Sequence, residues 1–414
     1  MRERHSFEKE IGLLLETRAE PQRERESLVS PVRLPKVMSE FDVHYGFRDV
    51  VDQQLGQTVP FGRLTKHDKK HDFFNVKRDV DRLEIGTERF TLDSEGLKNI
   101  QKVKINIKGF ADLLEAGCKQ AKEKKDIKIR GVRGHPRLFP LPNARSATRG
   151  LLIHKLHLNG TFPSNCNVWA SPQAHITIPL AKVGQLIAEI KKSIGKPPGK
   201  ALTGGRGLRI GIRSDHLYKA KEGVESLRSA MLTWNYKLSN GVLVDKSTFS
   251  DQLSGFLMLQ ASYLWAIKLW QPADKEEYGK GHLPINVKTP FPEIFSKILT
   301  PTEQLIYKEL FAGPTIRYRL FGLIEDYPTL EHGKKNKLFP PPVGSSLTWD
   351  DLLDWTLGLP SPISGLPGGG TVWPASETSP LVALELRRIG FQPLFAKDWG
   401  KLIDTIVELT RRLN

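Results

Sequence analysis

Glu385 and Arg387 stand two residues apart in Pro380-Leu-Val-Ala-Leu-Glu-Leu-Arg-Arg-Ile-Gly-Phe391, a run that is otherwise apolar up to that point. On a strand, alternate side chains point the same way, so this acid and this base share a face while Val382, Leu384 and Leu386 take the other. Charges in such a setting cost free energy unless they are paired or used. Two other segments repeat the theme. In Arg82-Leu-Glu-Ile-Gly-Thr87, Leu83 and Ile85 oppose Glu84 and Gly86; in Gln173-Ala-His-Ile-Thr-Ile178, Ala174, Ile176 and Ile178 oppose Gln173, His175 and Thr177. Carboxylates and an imidazole converging from several strands suit Mg²⁺ or Mn²⁺ bridging nucleotide phosphates. An arginine beside them suits the neutralisation of a phosphoryl group in transfer. Glu16 or Glu10, on a strand-like run over 10–17, is the candidate fourth contributor. Singly, each residue has a plainer reading: Glu84 as an exposed or paired strand residue, His175 as a hydrogen-bonded histidine, Glu385 with Arg387 as a same-face ion pair. Their shared strand context carries the joint reading.

The elements that must position them alternate between strand and helix, with no internal repeat, which predicts an α+β fold with a central, mainly antiparallel sheet flanked by helices. Leu97, Ile100, Val103, Ile107, Phe110 and Leu114 recur at three to four, predicting a helix of about 25 to 30 residues closed by the basic stretch 119–125. Strands are expected at 127–132, 151–158 and 168–179, the last followed by a helix over 180–194. Residues 216–270 read as mostly helical, and Thr300-Pro-Thr-Glu303 has the form of a capping box. A further strand is expected at 315–324, a short helix at 347–357, a Pro/Gly/Ser linker at 358–380 and a final helix over 397–413. The domain expectation is a first part of the sheet domain over 1–195, a mostly helical insertion over 196–312, and closing strands with a C-terminal helix over 313–414.

With 62 Lys and Arg against 46 Asp and Glu in 414 residues, the net charge of +16 favours acidic partners without choosing among them. Nucleic acid binding through this basic surface stays open, although aromatics are too sparse in the basic stretches for a stacking platform. The two cysteines, Cys118 and Cys166, exclude a disulfide framework and a cysteine-based zinc site. The charged N-terminus does not read as a signal peptide, and the longest apolar stretch, 253–270, is interrupted by Gln260, Ser262 and Lys268 and reads as a buried helix rather than a membrane span. A cytoplasmic setting is the expectation. Gly204, Gly205 and Arg206, in Gly204-Gly-Arg-Gly207, could cradle phosphate through backbone N–H groups, although the stretch matches neither the Walker nor the dinucleotide fingerprint and also reads as a basic linker.

The segments Leu83-Glu-Ile-Gly-Thr87, Ser171-Pro-Gln-Ala-His-Ile-Thr-Ile178 and Ala383-Leu-Glu-Leu-Arg387 resemble three signature strands of the amidoligases, relatives of glutamate–cysteine ligase and glutamine synthetase. Those families join a carboxylate to an amine through an acyl-phosphate, with ATP and a divalent metal, on an antiparallel sheet that forms an open funnel. The resemblance implies ATP and Mg²⁺ as cofactors, small-molecule or peptide carboxylate and amine substrates, metal-binding roles for Glu84, His175 and Glu16, and catalytic roles for Glu385 and Arg387. Departures are visible. No Pro follows Thr87, Gln173 stands where a first His belongs, and Glu10 with Glu16 is too widely spaced for the expected Glu-x-Glu. Thr315-Ile-Arg-Tyr-Arg-Leu-Phe321 competes for the late strand, with Arg317 in place of Glu and Arg319 as a candidate nucleotide contact.

The expectation is therefore an ATP- and Mg²⁺-dependent carboxylate–amine ligase-like enzyme. The alternative is a toxin- or effector-like module that engages nucleic acid or another acidic partner without ligase activity.

Overall fold

The structure, a computed structural model, describes residues 33–43, 60–65, 72–79, 82–123, 127–129, 137–139, 151–153, 169–193, 215–268, 285–312, 354, 356–359, 373–387 and 394–414. Its main sheet is built from β1 (Lys36–Val43), β2 (Pro60–Thr65), β3 (Asp72–Asp79), β4 (Arg82–Thr87), β5 (Phe90–Thr91), β7 (Arg137–Phe139), β9 (Trp169–Pro179), β10 (Ile285–Val287), β11 (Leu381–Arg387) and β12 (Leu394–Phe395). A separate pair is formed by β6 (Ile127–Ile129) and β8 (Leu151–Ile153). Eight strands of the main sheet run in the order β10-β11-β9-β1-β4-β3-β2-β7, with β5 continuing beside β1 and β12 beside β9. Every pairing is antiparallel. The helices are α1 (Ser94–Glu123), α2 (Val183–Ser193), α3 (Asp215–Thr233), α4 (Asp251–Lys268), α5 (Pro301–Ala312) and α6 (Trp399–Leu413). This is the α+β arrangement expected from the sequence. Strands that lie far apart in the chain, β1, β9 and β11, meet at the centre of the sheet.

Local chemistry starts the helices where the sequence pattern placed them. Asp93 Oδ1 accepts the Gly96 N–H at 2.7 Å and caps α1. At the start of α5 the capping box closes reciprocally: Thr300 Oγ1 accepts the Glu303 N–H at 3.3 Å, and Glu303 Oε2 accepts the Thr300 N–H at 2.7 Å. The apolar stripe of α1 is buried at Ile100, Val103, Ile107, Phe110 and Leu114. It packs with α6 on one face of the sheet, where Phe74 meets Phe110 with ring centroids 5.8 Å apart and Phe41 stacks on Trp399 at 4.8 Å. That face is apolar because one alternation of β1 and β9 supplies Val37, Phe41, Ala174, Ile176 and Ile178, all buried. Helices α2, α3 and α4 pack on one another, and Gly255 of α4 lies so close to the Leu180 carbonyl oxygen that a Cβ there would collide with it. No described helix is long and apolar enough to cross a membrane.

Trp399 pins the helical layer to the sheet: it is 1% exposed, stacks on Phe41 and donates its indole N–H to the Leu394 carbonyl at 3.2 Å. Trp399→Ala is expected to lower unfolding stability by about 3–5 kcal/mol in urea titrations, and Trp399→Phe, which keeps a ring against Phe41, by clearly less. An alanine variant within about 0.5 kcal/mol of the parent, the range of an ordinary surface substitution, would contradict this role.

Candidate functional site

The other face of the sheet is polar, and register explains which residues share it. Across β9 and β11, His175 lies opposite Glu385 and Gln173 opposite Arg387. Across β9 and β1, His175 lies opposite Met38 and Gln173 opposite Glu40. Across β1 and β4, Glu40 lies opposite Gly86 and Asp42 opposite Glu84. Paired residues point to the same side, so Glu385, Arg387, His175, Glu40 and Glu84 project from one face over four adjacent strands.

Glu385 is the most deeply held of these charges, with 0% of its surface exposed. Arg387 and Lys288 both form ion pairs with it, and Asn286 donates to its Oε2 at 3.3 Å. Burial pushes the Glu385 carboxyl up; the charges of Arg387 and Lys288, with the Arg387 hydrogen bond, outweigh burial and hold it below the usual carboxylate range. Lys288 follows β10 directly, and its backbone carries the same strand edge onward: its N–H donates to the Ala383 carbonyl at 2.8 Å and its carbonyl accepts the Trp373 N–H at 3.0 Å.

His175, 4% exposed, donates Nε2–H to Glu40 Oε2 at 2.9 Å, which leaves Nδ1 as an acceptor in the neutral ring. That Nδ1 has no hydrogen-bond partner among the described residues. Trp373 lies beside it, with ring centroids 6.1 Å apart and planes within 16°, and packs against Leu381, Ala383 and Met38. The Arg89 guanidinium sits over the Trp373 ring at 4.2 Å. Burial pulls the Arg89 value down, against the attraction of Glu40.

Of the residues singled out from sequence, Glu84, His175, Glu385 and Arg387 share this face; Glu385 and His175 are direct neighbours, while Glu84 is reached from His175 across β1. Glu16, Gly204, Gly205, Arg206 and Arg319 lie outside the described residues. Sequence reasoning missed Glu40, Lys288, Arg89 and Trp373. Glu40 had a signal, because Met38, Glu40 and Asp42 alternate with Val37, Ser39, Phe41 and Val43. Lys288 had almost none, since β10 is only three residues long.

Among the described residues no group of three or more His, Cys, Asp or Glu side chains is arranged to hold a metal ion. The donor chemistry does match a magnesium ion carried by phosphate, which takes one or two carboxylates and leaves its other positions to phosphate and water. Glu40 and Glu84 flank Gly86, where a Cβ would lie 3.7 Å from Glu40 Cγ and 3.8 Å from Glu84 Oε1. The Met38 methyl lies nearest to that position, at 3.6 Å, so Met38, Glu40 and Glu84 meet over this glycine. A groove of about 810 Å³ between α1 and α6, lined by Leu97, Gln101, Asp404 and Arg411 among others, carries none of these residues. Compared with known proteins, the chain matches no family model, no curated protein and no solved structure.

Glu385→Gln leaves Lys288 and Arg387 without their countercharge and is expected to cost about 3–5 kcal/mol at neutral pH. Since the folded Glu385 value lies below that of an unfolded glutamate, about 4.3, its contribution is complete above that pH and is lost as pH falls through the folded value. Urea midpoints of parent and variant should thus converge on acidification from pH 6 to about 3; a gap that widens would contradict the assignment.

Proposed function

We propose that the polar sheet face is the site of an ATP- and Mg²⁺-dependent carboxylate–amine ligase, working through an acyl-phosphate. The observation that carries this reading is the set of adjacent strands bearing Glu84, Glu40, His175 and the Lys288–Glu385–Arg387 cluster on one side. Glu40 and Glu84 would hold magnesium, whose contribution is to neutralise charge on the transferred phosphoryl group. Arg387, 17% exposed at its side chain, has its charge fixed in place by Glu385 and adds a cation without metal. Glu385 positions that arginine and Lys288 rather than acting on substrate. His175 has a chemically apt role: with Nε2–H committed to Glu40, the Nδ1 lone pair can take the proton released when an amine attacks the activated acyl carbon and phosphate departs.

The resemblance to amidoligase strands supports the same reading, and Glu40 with Asp42 supplies the early acidic pair that Glu10 and Glu16 do not. A non-catalytic module engaging nucleic acid through its +16 charge is the competing reading.

Calorimetry on the full chain separates them. ATP is expected to bind in the presence of Mg²⁺ and to lose about 10–100-fold in affinity without it or in Glu84→Gln, as the loss of a charge-assisted contact predicts. The surface variant Asp404→Asn should bind as the parent does. Absence of metal-dependent nucleotide binding would overturn the ligase reading, and polyanion binding that falls steeply with salt and ignores Glu84→Gln would favour the alternative.

A further inference from the structure

The strap that carries Trp373 into β11 is fastened firmly at one end and lightly along the rest. At the fixed end the Pro380 carbonyl accepts the Leu180 N–H at 3.0 Å, and β11 begins at Leu381. Ser376 to Ser379 close a turn on themselves: the Thr378 N–H donates to Ser376 Oγ at 3.3 Å and the Ser379 N–H to the Ser376 carbonyl at 3.4 Å. Beyond that turn, two hydrogen bonds tie the strap to other described elements. The Ala375 N–H donates to Glu293 Oε2 at 2.8 Å, at the end of the helical turn Phe291–Glu293, and the Trp373 N–H donates to the Lys288 carbonyl at 3.0 Å.

The indole supplies the remaining attachment. Trp373 is 1% exposed, lies beside His175 with ring planes within 16°, packs on Met38, Leu381 and Ala383, and has the Arg89 guanidinium 4.2 Å from its ring centre. Arg89 reaches it through an irregularity in the sheet. From Glu40 to Val37, β1 advances three residues while its partner advances four, from Gly86 to Phe90, so one extra residue forms a β-bulge between β4 and β5. Phe90 then pairs with Val37 on the apolar face, and Arg89 falls on the polar one.

Opposing effects act on this closed arrangement. Burial of the ring and the cation over it favour closure. Against it, the Trp373 indole N–H and His175 Nδ1 are a donor and an acceptor, both buried and without a hydrogen-bond partner among the described residues. Each such orphan costs free energy that contact with water restores. Trp399 makes the contrast: it is equally 1% exposed, but its indole N–H is bonded to the Leu394 carbonyl at 3.2 Å. His175 is itself 4% exposed, so an amine reaches Nδ1 only when a neighbouring group moves. Trp373 is the neighbour with few ties and an orphan of its own.

We propose that residues 373–379 form a lid over the polar face, with Trp373 as its latch against His175 and Arg89, and that the ligand-free chain is held closed by this contact. The proposal rests on the reading of His175 as the base: opening admits the amine to Nδ1, and closure keeps water out during transfer.

The test uses the full chain without nucleotide or metal, so failure of the lid and failure of the ligase reading are distinguishable. Because Trp373 and Trp399 are equally buried, a soluble paramagnetic agent separates a ring that opens to solvent from one that stays packed. With fluorotryptophan incorporated and the two ¹⁹F signals assigned through Trp373→Phe and Trp399→Phe, the agent is expected to broaden Trp373 about fivefold more than Trp399. Glu293→Ala removes the acceptor of the Ala375 N–H, and Arg89→Met removes the cation over the ring. Each is expected to raise the Trp373 effect about twofold or more and to leave Trp399 unchanged. Glu293 also pairs with Lys297 on the surface, and its variant remains informative if Arg89→Met fails to fold. Carbethoxylation of His175 by diethyl pyrocarbonate, mapped by mass spectrometry, should be slow in the parent and faster in Glu293→Ala. Lys401→Met, which removes an exposed lysine paired with Asp398 at 2.9 Å, should match the parent in both readouts. Trp373 protected as fully as Trp399, a Trp373 effect that ignores Glu293→Ala, or His175 reactivity unchanged in that variant would overturn the proposal.

Discussion

A carboxylate with no exposed surface must be met by cations, and at Glu385 that requirement ties together three strands. Lys288 comes from the edge at β10 and Arg387 from β11 itself, Asn286 adds a hydrogen bond from β10, and His175 lies opposite on β9. Removing any cation would leave a desolvated negative charge; removing the carboxylate would leave two positive ones. The geometry of the polar face follows from this balance. Antiparallel backbone pairing of β11 with β9 sets Arg387 opposite Gln173, and the same strand β9 carries His175 to the Glu40 of β1. Farther across, Glu40 lies opposite Gly86, with Met38 and Glu84 in contact distance of that glycine's Cβ position.

Charge along this face alternates in sign from one end to the other. At one end the Lys288–Glu385–Arg387 cluster is internally compensated. In the middle, His175 is oriented by Glu40 and shielded by Trp373. At the far end, Glu40 and Glu84 concentrate negative charge next to the Lys36 and Arg89 cations. Acids suited to a cation and cations suited to an anion thus lie within one sheet face, while α1 and α6 on the opposite face provide the apolar packing that holds the strands in register.

Much of this was legible in the sequence because strand alternation is a strict period of two. Arg82–Thr87 and the polar positions Glu84, His175, Glu385 and Arg387 follow from it directly, as do α1 from its three-to-four spacing and the start of α5 from its capping box. Other parts were hidden for physical reasons. The strand Lys36–Val43 mixes acids into a short run after Pro35, so its alternation was overlooked although present. The stretch over 63–78 looked merely basic, and its strands are recognised by pairing with β4 and β7 rather than by hydrophobicity. Arg89 breaks the alternation that sequence reading relies on, because a bulge shifts the phase. Trp373 meets His175 and Arg89, and Lys288 meets Glu385, through contacts between segments distant in the chain, which no local pattern encodes.

The central claim is that a metal–nucleotide complex binds at Glu40 and Glu84, and methionine methyl NMR tests it directly. The chain has four methionines, Met1, Met38, Met231 and Met258. Met38 Cε lies 3.6 Å from where a Gly86 Cβ would be, whereas Met231 and Met258 are buried in the helical core. With ¹³C-methyl methionine and paramagnetic Mn²⁺ in complex with ATP, the account predicts selective broadening of the Met38 signal, with Met231 and Met258 unaffected and the effect lost in Glu84→Gln. A Met38 signal that stays sharp at saturating complex, or broadening centred on Met231 or Met258, would contradict it.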